Sequence, residues 1–311
     1  MPRLAAITGA SGFVGPHLVA ALARRGWRVR LLLRRWSPLP SLSGVDAEIV
    51  WGDLEDDAAL RALAAGADAI VHAAGLIKAR DPADFMAVNR DGTARLSARA
   101  SGVPFLLLSS LAAREPGLSS YAASKRAAEQ VLDGRCSAWL AIRAPAVYGP
   151  GDRETLAYFR AVARGIAPRP RVAGARLSSI HVADLDEALA LALDRLLPGA
   201  VQEIDDGRDG GHGYADVAAA AGAALGRQPI DLPIPRAIMT AVAGVNAVAQ
   251  RLGGPPQILT RGKVAEIFHC DWVIHDRSLA AAIGHVPRYD LTEGFRDTVL
   301  WYRRHRWLPT R

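Results

Sequence analysis

The chain has 311 residues, half of them hydrophobic, which is enough for one large α/β domain or for a large domain and a small one. Its formal charge is +7, but the basic residues are scattered and no nucleic-acid motif is present, so the excess favours anionic small-molecule ligands over nucleic acid. Two cysteines, Cys136 and Cys270, exclude a disulfide framework, and with no evident leader peptide or bilayer-spanning apolar run we expect a cytoplasmic protein without an integral membrane segment.

In the first half of the chain, short apolar segments alternate with longer segments of helical composition. The strand-like segments are LAAIT, WRVRLLL, AEIVWGD, AIVHAAG, FLLLSS and AWLAIRA. The helical segments lie near residues 14–25, 56–65, 83–101 and 120–133. Such alternation is typical of parallel strands with helices on both faces, and right-handed crossovers then give a doubly wound, Rossmann-type parallel sheet of the α/β class.

After about residue 150 the alternation loosens, and clusters of proline and glycine interrupt it. We expect a Rossmann domain over residues 1–150, to which residues 181–205 return, and a smaller C-terminal α/β substrate-binding lobe formed by residues 151–180 and 206–311. The lobe would lie over the carboxyl ends of the strands, where ligands of open α/β sheets bind. The most apolar late stretch, residues 237–252, is interrupted by polar residues and is typical of an amphipathic or buried helix.

The first predicted strand runs directly into a glycine loop, TGASGFVG. Its three glycines suit a sharp turn, a close approach to a pyrophosphate and the packing of a helix against a strand, each of which excludes a Cβ. The following helix would offer free N–H groups to the phosphates. A loop in this position, after a strand and before a helix, predicts a bound dinucleotide. The residues expected to contact it are Gly9, Ser11, Gly12, Phe13, Val14 and Gly15.

The end of the second predicted strand bears on which dinucleotide is bound. An NAD site usually has an acidic residue about 20 residues into the motif, where it binds the ribose 2′-hydroxyl. Here the sequence is RVRLLLRRW, with Arg34 and Arg35 in place of an acid. Arginine suits a 2′-phosphate, so NADP(H) is predicted, with NAD as the alternative if both arginines only end the strand in solvent.

The stretch SSYAASKR places Tyr121 and Lys125 four residues apart, and on a helix both side chains would project from one face. An ammonium about 4 Å from a phenol, at an effective dielectric of about 20, would favour the phenolate by roughly 4 kcal/mol, or about three pKa units. That is enough to make Tyr121 a useful acid or base near neutrality. The spacing is also common on ordinary exposed helices, so it carries weight only with its context. Ser120 could cap this helix.

Several motifs fall in a consistent order along the first 190 residues. They are TGASGFVG at 8–15, GDLED at 52–56, HAAG at 72–75, VNRDGT at 88–93, LLLSS at 106–110, YAASK at 121–125, RAPAVYGPGD at 143–152 and HVADLDEA at 181–188. On these motifs the chain resembles the short-chain dehydrogenase/reductase superfamily, of the extended NAD(P)-dependent epimerase/dehydratase type. The late stretch DWVIHDRSLAAAIGHVPRYDLTEGFRDTVLWYR is similar to its ketone-reducing members, such as dihydroflavonol-reductase-like and 3β-hydroxysteroid-dehydrogenase-like proteins.

The resemblance implies roles for the matching residues. Tyr121 would be the catalytic acid and base, and Lys125 would hold the nicotinamide ribose and lower the tyrosine pKa. The further cofactor contacts that it implies are Asp53 and Leu54 at the adenine, Ala73, Ala74 and Gly75 beside the fourth strand, and Pro145 and Val147 at the nicotinamide.

A serine after the fifth strand would hydrogen-bond the substrate oxygen, and two candidates are present. Ser109 and Ser110 would point to opposite faces of the sheet, so one of them should reach the site. The family pattern favours the second serine of such a pair, so Ser110 is predicted. Asn89 matches the VN motif, and we expect it to order the backbone more than to take part in chemistry.

These observations predict an NADP(H)-dependent oxidoreductase that interconverts a carbonyl and an alcohol on a small-molecule substrate, with no metal and no nucleic-acid partner. A nucleotide-sugar epimerase or dehydratase with tightly bound NAD is the first alternative. A non-catalytic dinucleotide sensor or scaffold is the second, although such relatives often lose the tyrosine or the lysine. The sequence leaves open the substrate, and it leaves open a homodimer formed through the helices that flank the sheet.

Overall fold

Short strands and helices alternate along the first two thirds of the chain. The computed structural model describes residues 2–40, 42–100, 102–195 and 199–309. Position 101, where the third predicted helical segment ends, and positions 196–198, within the segment expected to return to the sheet, lie outside the described residues. The strands of the described residues are β1 (Leu4–Thr8), β2 (Arg28–Leu33), β3 (Ala47–Trp51), β4 (Ala69–His72), β5 (Phe105–Ser110), β6 (Trp139–Ala144), β7 (Ala146–Tyr148), β8 (Ile166–Pro170), β9 (Arg176–Leu177), β10 (Ser179–His181), β11 (Ala200–Glu203), β12 (His212–Gly213), β13 (Ile230–Ile234) and β14 (Asp271–Trp272).

Helices connect these strands. They are α1 (Gly15–Arg24), α2 (Asp57–Ala64), α3 (Pro82–Phe85), α4 (Gly92–Ser97), α5 (Ser120–Leu132), α6 (Leu156–Ala163), α7 (Val182–Arg195), α8 (Tyr214–Leu225), α9 (Arg236–Arg251), α10 (Arg261–Ile267), α11 (Ser278–Ile283) and α12 (Leu291–Arg304). A π-helical segment, Met86–Asp91, joins α3 to α4, and a 3₁₀ turn, Leu111–Arg114, follows β5. Among the described residues, no helix is both long and apolar enough to cross a membrane.

The central sheet has the strand order β11-β6-β5-β4-β1-β2-β3, and every neighbouring pair is parallel. The strand order reverses at β1, which lies between β2 and β4, and a crevice therefore opens at the carboxyl ends of β1 and β4. This arrangement confirms the predicted Rossmann-type doubly wound sheet. It also places the residues that follow β1, β2, β4 and β5 along one edge.

Apolar helices cover both faces of the sheet. All five residues of β1 are buried, as expected of a strand that is packed on both sides. On one face, Leu18 of α1 and Leu189 of α7 join a core with β1 and β2. On the other face, Leu60 of α2 and Leu96 of α4 pack with β4 and β5. The sheet, and with it the edge that carries these loops, is therefore packed between two apolar cores.

The C-terminal third adds a third apolar cluster and smaller strand pairs. Phe159 of α6, Leu225 of α8 and Phe295 of α12 pack together around Tyr148. Strand β9 lies between β12 and β14, and β13 pairs with β8. Strand β11, which follows α7, pairs with β6 at the edge of the central sheet. The division of the chain into a Rossmann domain and a C-terminal lobe stays a prediction. In that division, β11 would belong to the Rossmann domain.

The helix that carries Tyr121 begins one residue from the predicted cap. Ser119, rather than Ser120, has the extended backbone of a capping residue, and its Oγ accepts a hydrogen bond from Ala122 N at 2.9 Å. Ser120 is the first helical residue. The expectation for Ser120 was wrong by one position because both serines can cap and only the backbone conformation separates them.

Candidate active site

The glycine loop between β1 and α1 is shaped by contacts that leave no room for side chains. Gly9 has φ +82°, and a Cβ on it would lie 2.6 Å from the backbone of Ala73 and Ala74. Gly12 N donates to Gly9 O at 3.0 Å, and a Cβ on Gly15 would overlap that same carbonyl. The loop is thus a turn whose backbone is accessible at the start of a helix, as a pyrophosphate requires.

The start of α1 completes this cradle. The first N–H groups of a helix have no intrahelical partner. Val14 is the N-terminal cap of α1, and its side chain makes no capping hydrogen bond to them. Ser11, Phe13 and Val14 are half-buried around the turn, and the ring of Phe13 lies 6.2 Å from the ring of His17. The residues present therefore suit a dinucleotide phosphate group.

The residues that follow β2 and β3 lie at the same edge. Thr8 is paired with Leu32, so Arg34 comes just beyond the carboxyl ends of β1 and β2. Arg34 is exposed, with its guanidinium 5.7 Å from the centre of the Trp36 ring, and neither it nor Arg35 has a carboxylate partner within the described ranges. Free guanidinium groups at this position suit a ribose 2′-phosphate.

Asp53 and Leu54 follow β3, where each has a structural contact. The Asp53 carboxylate accepts hydrogen bonds from Glu55 N at 2.9 Å and from Asp56 N at 3.1 Å, which orders the turn before α2. Leu54 packs so closely on Gly92 that a Cβ there would lie 2.8 Å from its Cδ1. Both residues stay predicted cofactor contacts.

The residues after β4 pass across the crevice beside the glycine loop. Ala74 N donates to Thr8 Oγ1 at 3.3 Å, and the backbone of Ala73 and Ala74 faces Gly9. Gly75 is exposed, and a Cβ on it would lie 3.0 Å from Asn89 Oδ1 and 3.8 Å from Lys125 Nζ. These three residues therefore separate the glycine loop from the predicted catalytic groups.

Asn89 is a buried connector in this region. Its Oδ1 accepts from Leu76 N at 2.7 Å, and its Nδ2 donates to Leu76 O at 3.1 Å and to Ser124 Oγ at 2.8 Å. The side chain ties the loop after β4 to α5. Its hydrogen-bonding groups are occupied by the protein, which suits the predicted ordering role.

Ser110 and Tyr121 meet at the end of β5. The Ser110 hydroxyl is a hydrogen-bonding neighbour that acts on the pKa of Tyr121, and Ser110 Oγ accepts from Ala112 N at 3.2 Å. The Tyr121 ring packs edge-on against Phe85, with the ring centres 6.0 Å apart. Burial raises the pKa of Tyr121 to about 12; the Ser110 hydrogen bond lowers this pKa and the charge of Glu266 raises it.

Lys125 lies one turn along α5, but its ammonium is bound elsewhere. Its Nζ donates to the carbonyl of Leu108 at 2.7 Å, and burial lowers the pKa of Lys125 to about 8. Lys125 is not among the groups that set the pKa of Tyr121 in this structure. The expectation that it lowers the phenol pKa was therefore wrong for the protein by itself, because desolvation of the phenol outweighs the other effects.

Ser109 points to the other face of the sheet. It is buried, and its Oγ donates to Glu129 Oε1 at 2.5 Å. Glu129 also accepts from Arg143 at 2.9 and 2.8 Å, so the serine belongs to a buried ion-pair cluster. Glu129 and Arg143 were not among the residues predicted for this region, although the spacing of Lys125 and Glu129 on one helix face was a usable signal.

A large cavity opens above Ser110 and Tyr121. It measures about 1100 Å³, and Pro145 and Val147 line it beside these two residues. Its opposite wall comes from the C-terminal third of the chain, which the sequence analysis did not resolve into residues. Those wall residues include Ala247, Gln250 and Arg251 of α9, and Arg261, Lys263 and Glu266 of α10.

Charged residues of the loop after β4 also border the cavity. Lys78 Nζ lies 2.6 Å from Glu154 Oε1, and Arg80 donates to Gly254 O at 3.1 Å. Arg251 and Arg261 of the opposite wall have no carboxylate partner in the part of the chain that the structure describes. The loop after β4 thus supplies polar groups that are paired within the protein, whereas the opposite wall combines the paired Lys263 and Glu266 with two guanidinium groups that have no carboxylate partner among the described residues.

Comparisons with known proteins show the family of this chain. The sequence profile described as the NAD dependent epimerase/dehydratase family matches residues 5–204. The chain is 43% identical over 308 residues to the ceramide reductase of Caulobacter vibrioides, covering 98% of this chain and 96% of that protein. It is 30% identical over 226 residues to a 4-hydroxy-2-methyl-3-oxo-4-farnesyl-3,4-dihydroquinoline-1-oxide ketoreductase of Stigmatella aurantiaca, covering 65% of this chain and 67% of that protein.

Solved structures share the fold. The crystal structure of gox2253 superposes with a TM-score of 0.77 at 24% identity, covering 98% of this chain and 99% of that one. MoeE5 in complex with UDP-glucose and NAD superposes with a TM-score of 0.72 at 24% identity, covering 97% of this chain and 99% of that one. At these identities the likeness concerns the fold alone.

Proposed function

The chain belongs to the NAD dependent epimerase/dehydratase family and is an NAD(P)-dependent oxidoreductase/epimerase, and we propose that it uses NADP(H) to interconvert a carbonyl and an alcohol on a ceramide-like lipid. The observation that carries this proposal is that the hydroxyl groups of Ser110 and Tyr121 are neighbours on the wall of the cavity. Two hydroxyl groups that meet beside an open volume can bind one carbonyl oxygen together.

Tyr121 acts as the proton donor in reduction. A pKa of about 12 keeps the phenol protonated near neutrality, so the protein alone holds it as a donor. Ser110 binds the substrate oxygen and stabilises the charge that develops on it before the proton arrives. In the oxidation direction the same two groups would take the proton back from the alcohol.

The crevice at the carboxyl ends of β1 and β4 would hold the cofactor. A bound nicotinamide dinucleotide supplies or accepts the hydride of the reaction. The glycine loop and the start of α1 would bind its phosphates, and Arg34 its ribose 2′-phosphate, which is the reason for proposing NADP(H) over NAD. Lys125 would hold the nicotinamide ribose, with Ala73, Ala74, Gly75, Pro145 and Val147 around the rest of the molecule.

The substrate class is proposed from the cavity and from one relative. A volume of about 1100 Å³ is slightly larger than that of ordinary ligand pockets, and it leaves room for a long-chain molecule. The relative that is 43% identical over nearly the whole of both chains is named a ceramide reductase. A ceramide-like lipid that carries a reducible carbonyl is therefore the substrate that we propose.

A second candidate is a nucleotide-sugar epimerase. Arg251 and Arg261 border the cavity without carboxylate partners in the described part of the chain, and free guanidinium groups suit a diphosphate. Such an enzyme returns the hydride to its substrate, so it would change the sugar without net consumption of the reduced cofactor. A non-catalytic sensor is the weakest candidate, because both Tyr121 and Lys125 are present.

The test is a substrate panel with each reduced cofactor, followed by absorbance of the reduced nicotinamide. We expect NADPH to be consumed with ketone analogues of ceramide, and nucleotide sugars to be left unchanged. Tyr121→Phe should lower kcat by about 10²–10⁴-fold while dinucleotide binding, followed by fluorescence, stays the same. Full activity of Tyr121→Phe would remove the tyrosine from its role, and epimerised sugar without cofactor consumption would favour the second candidate.

A further inference from the structure

Helix α9 carries an apolar stripe that no part of the described chain covers. Ile238 is 54% exposed, Val242 46%, Val245 69% and Val248 55%, and Leu252, just beyond the helix, is 83% exposed. Successive spacings of four, three, three and four residues place these side chains on one face of the helix. Ala243 is the only buried residue among the sixteen described positions of α9. A contiguous exposed apolar face of this kind marks an interaction surface.

The opposite face of the same helix lines the cavity. Ala247, Gln250 and Arg251 border the space above Tyr121, and at 100° per residue they lie about half a turn from the centre of the stripe. The helix therefore separates the cavity from whatever covers its outer face. A ligand that moves from a surface bound at the outer face into the cavity has to pass around only this one helix.

The chain segment that carries the stripe is basic. Residues 232–265 contain no aspartate or glutamate. Arg236, Arg251 and Arg261 have no carboxylate partner in the part of the chain that the structure describes. Arg236 instead lies over Phe268, with 5.9 Å between its guanidinium and the ring centre. An apolar helix with free arginines at both ends is complementary to an anionic lipid surface.

The end of the stripe meets the mouth of the cavity. Leu252 is followed by Gly253, which lines the cavity, and Arg80 from the loop after β4 donates to Gly254 O across this point. Ile77, on the same loop, lines the cavity and is 52% exposed. Apolar groups are thus accessible on the outside of α9 and at the entrance that it borders.

We propose that α9 docks the enzyme on an anionic lipid bilayer, with the side chains of the stripe inserted at the interface and the cavity mouth opening towards the lipid. A second copy of the chain is a weaker occupant, because a twofold contact through α9 would bring together two basic segments that contain no acidic residue. The proposed lipid binding depends only on the exposed stripe and on the arginines near it. The delivery of substrate from the bilayer to the cavity rests on the proposed function.

Vesicle flotation of the full chain tests the docking. The probes are vesicles of phosphatidylcholine alone and vesicles that also contain phosphatidylglycerol. We expect the wild-type protein to float with the anionic vesicles, less strongly at high salt, and the double variant Val245→Glu/Val248→Glu to lose about tenfold or more in binding. Val286→Glu is the matched control, since Val286 is an 80% exposed valine outside α9 and its replacement should leave flotation unchanged.

Three results would overturn the proposal. They are a wild-type protein that does not float, equal flotation of the α9 variant and the wild type, and an α9 variant whose only change is a smaller assembly by light scattering. Both variants should fold, because all three valines are exposed. Thermal unfolding of each variant checks this.

A kinetic experiment separates this inference from the proposed function. The α9 variant should turn over a soluble, truncated ketone at the wild-type rate and lose activity only on lipid presented in vesicles. Equal losses on both substrates would place the two valines in the enzyme's own machinery and overturn the docking. Normal flotation of a protein that reduces no ketone would support the docking and remove the proposed function instead.

Discussion

The two sides of the cavity are built in opposite ways. On the side of the sheet, the polar groups are buried and paired: Lys125 binds the Leu108 carbonyl, Asn89 bridges a loop to α5, and Ser110 meets Tyr121. On the side of α9 and α10, Lys263 is paired with Glu266, but Arg251 and Arg261 are without carboxylate partners among the described residues, and the outer face of α9 is apolar and exposed. The first side suits a reacting group held in one fixed position, whereas the second side borders an outer surface that suits an apolar partner.

This contrast predicts that changes on the sheet side affect every substrate alike. Changes on the α9 side should act on lipid substrates selectively. Rates of turnover are therefore measured with both a soluble ketone and a lipid ketone.

After that of Tyr121→Phe, the largest effect is expected at the two neighbouring serines of β5. Ser110→Ala should lower kcat by about 10²–10³-fold on both ketones, because a group that stabilises the developing oxyanion is lost. Ser109→Ala should keep kcat near that of the wild type and lower the free energy of unfolding by about 1–3 kcal/mol, since Glu129 loses a buried hydrogen bond. Steady-state kinetics and denaturant unfolding of both variants measure the difference. Similar kcat values for the two variants would mean that Ser110 has no role in the reaction that Ser109 lacks.

A smaller effect is expected at the end of β2. Arg34→Ala should raise the KM for NADPH by about 10–100-fold and leave the KM for NADH unchanged, because charge-assisted hydrogen bonds to a 2′-phosphate contribute about 1.5–3 kcal/mol. Arg35→Ala is the matched control at the next position. If neither variant changes the preference between the two cofactors, NADP(H) is the wrong proposal.

The smallest effect is a pH dependence that both substrates should share. Burial lowers the pKa of Lys125 to about 8, so the free enzyme loses this positive charge as the pH rises through that value, while Tyr121, with a pKa of about 12, stays protonated. Because Lys125 would hold the nicotinamide ribose, the kcat/KM for reduction should be constant below about pH 8 and fall by up to about tenfold per pH unit above it. A profile that differs between the soluble and the lipid ketone would show that the α9 side, and not Lys125, sets it.

Much of the sheet side was predictable because its constraints are local. The glycines of the first loop are required by the backbone, whose close approaches at Gly9 and Gly15 exclude any Cβ. The preference for Ser110 over Ser109 followed from strand alternation together with the family pattern, and the structure places Ser110 beside Tyr121 and Ser109 against Glu129. These assignments stay predictions for the reaction itself until activity is measured.

The electrostatic expectation for Tyr121 failed for a tertiary reason. The sequence sets the distance along a helix between Tyr121 and Lys125, but not what each group meets in the fold. The Leu108 carbonyl takes the lysine, and Phe85 and the surrounding structure desolvate the phenol. Desolvation depends on the whole environment of a group, so a pairwise estimate from spacing could not include it.

The amino-acid sequence by itself determined the strand and helix alternation, the glycine turn and the family, because each depends on short-range sterics and on the burial of apolar residues. It also showed an apolar segment near residues 237–252, but an amphipathic surface helix and a buried one were equally compatible with it. Only the tertiary structure decided that this helix is exposed on one face and borders the cavity with the other. The physical reason is that burial is a property of the elements that pack around a segment, and the sequence of the segment does not contain them.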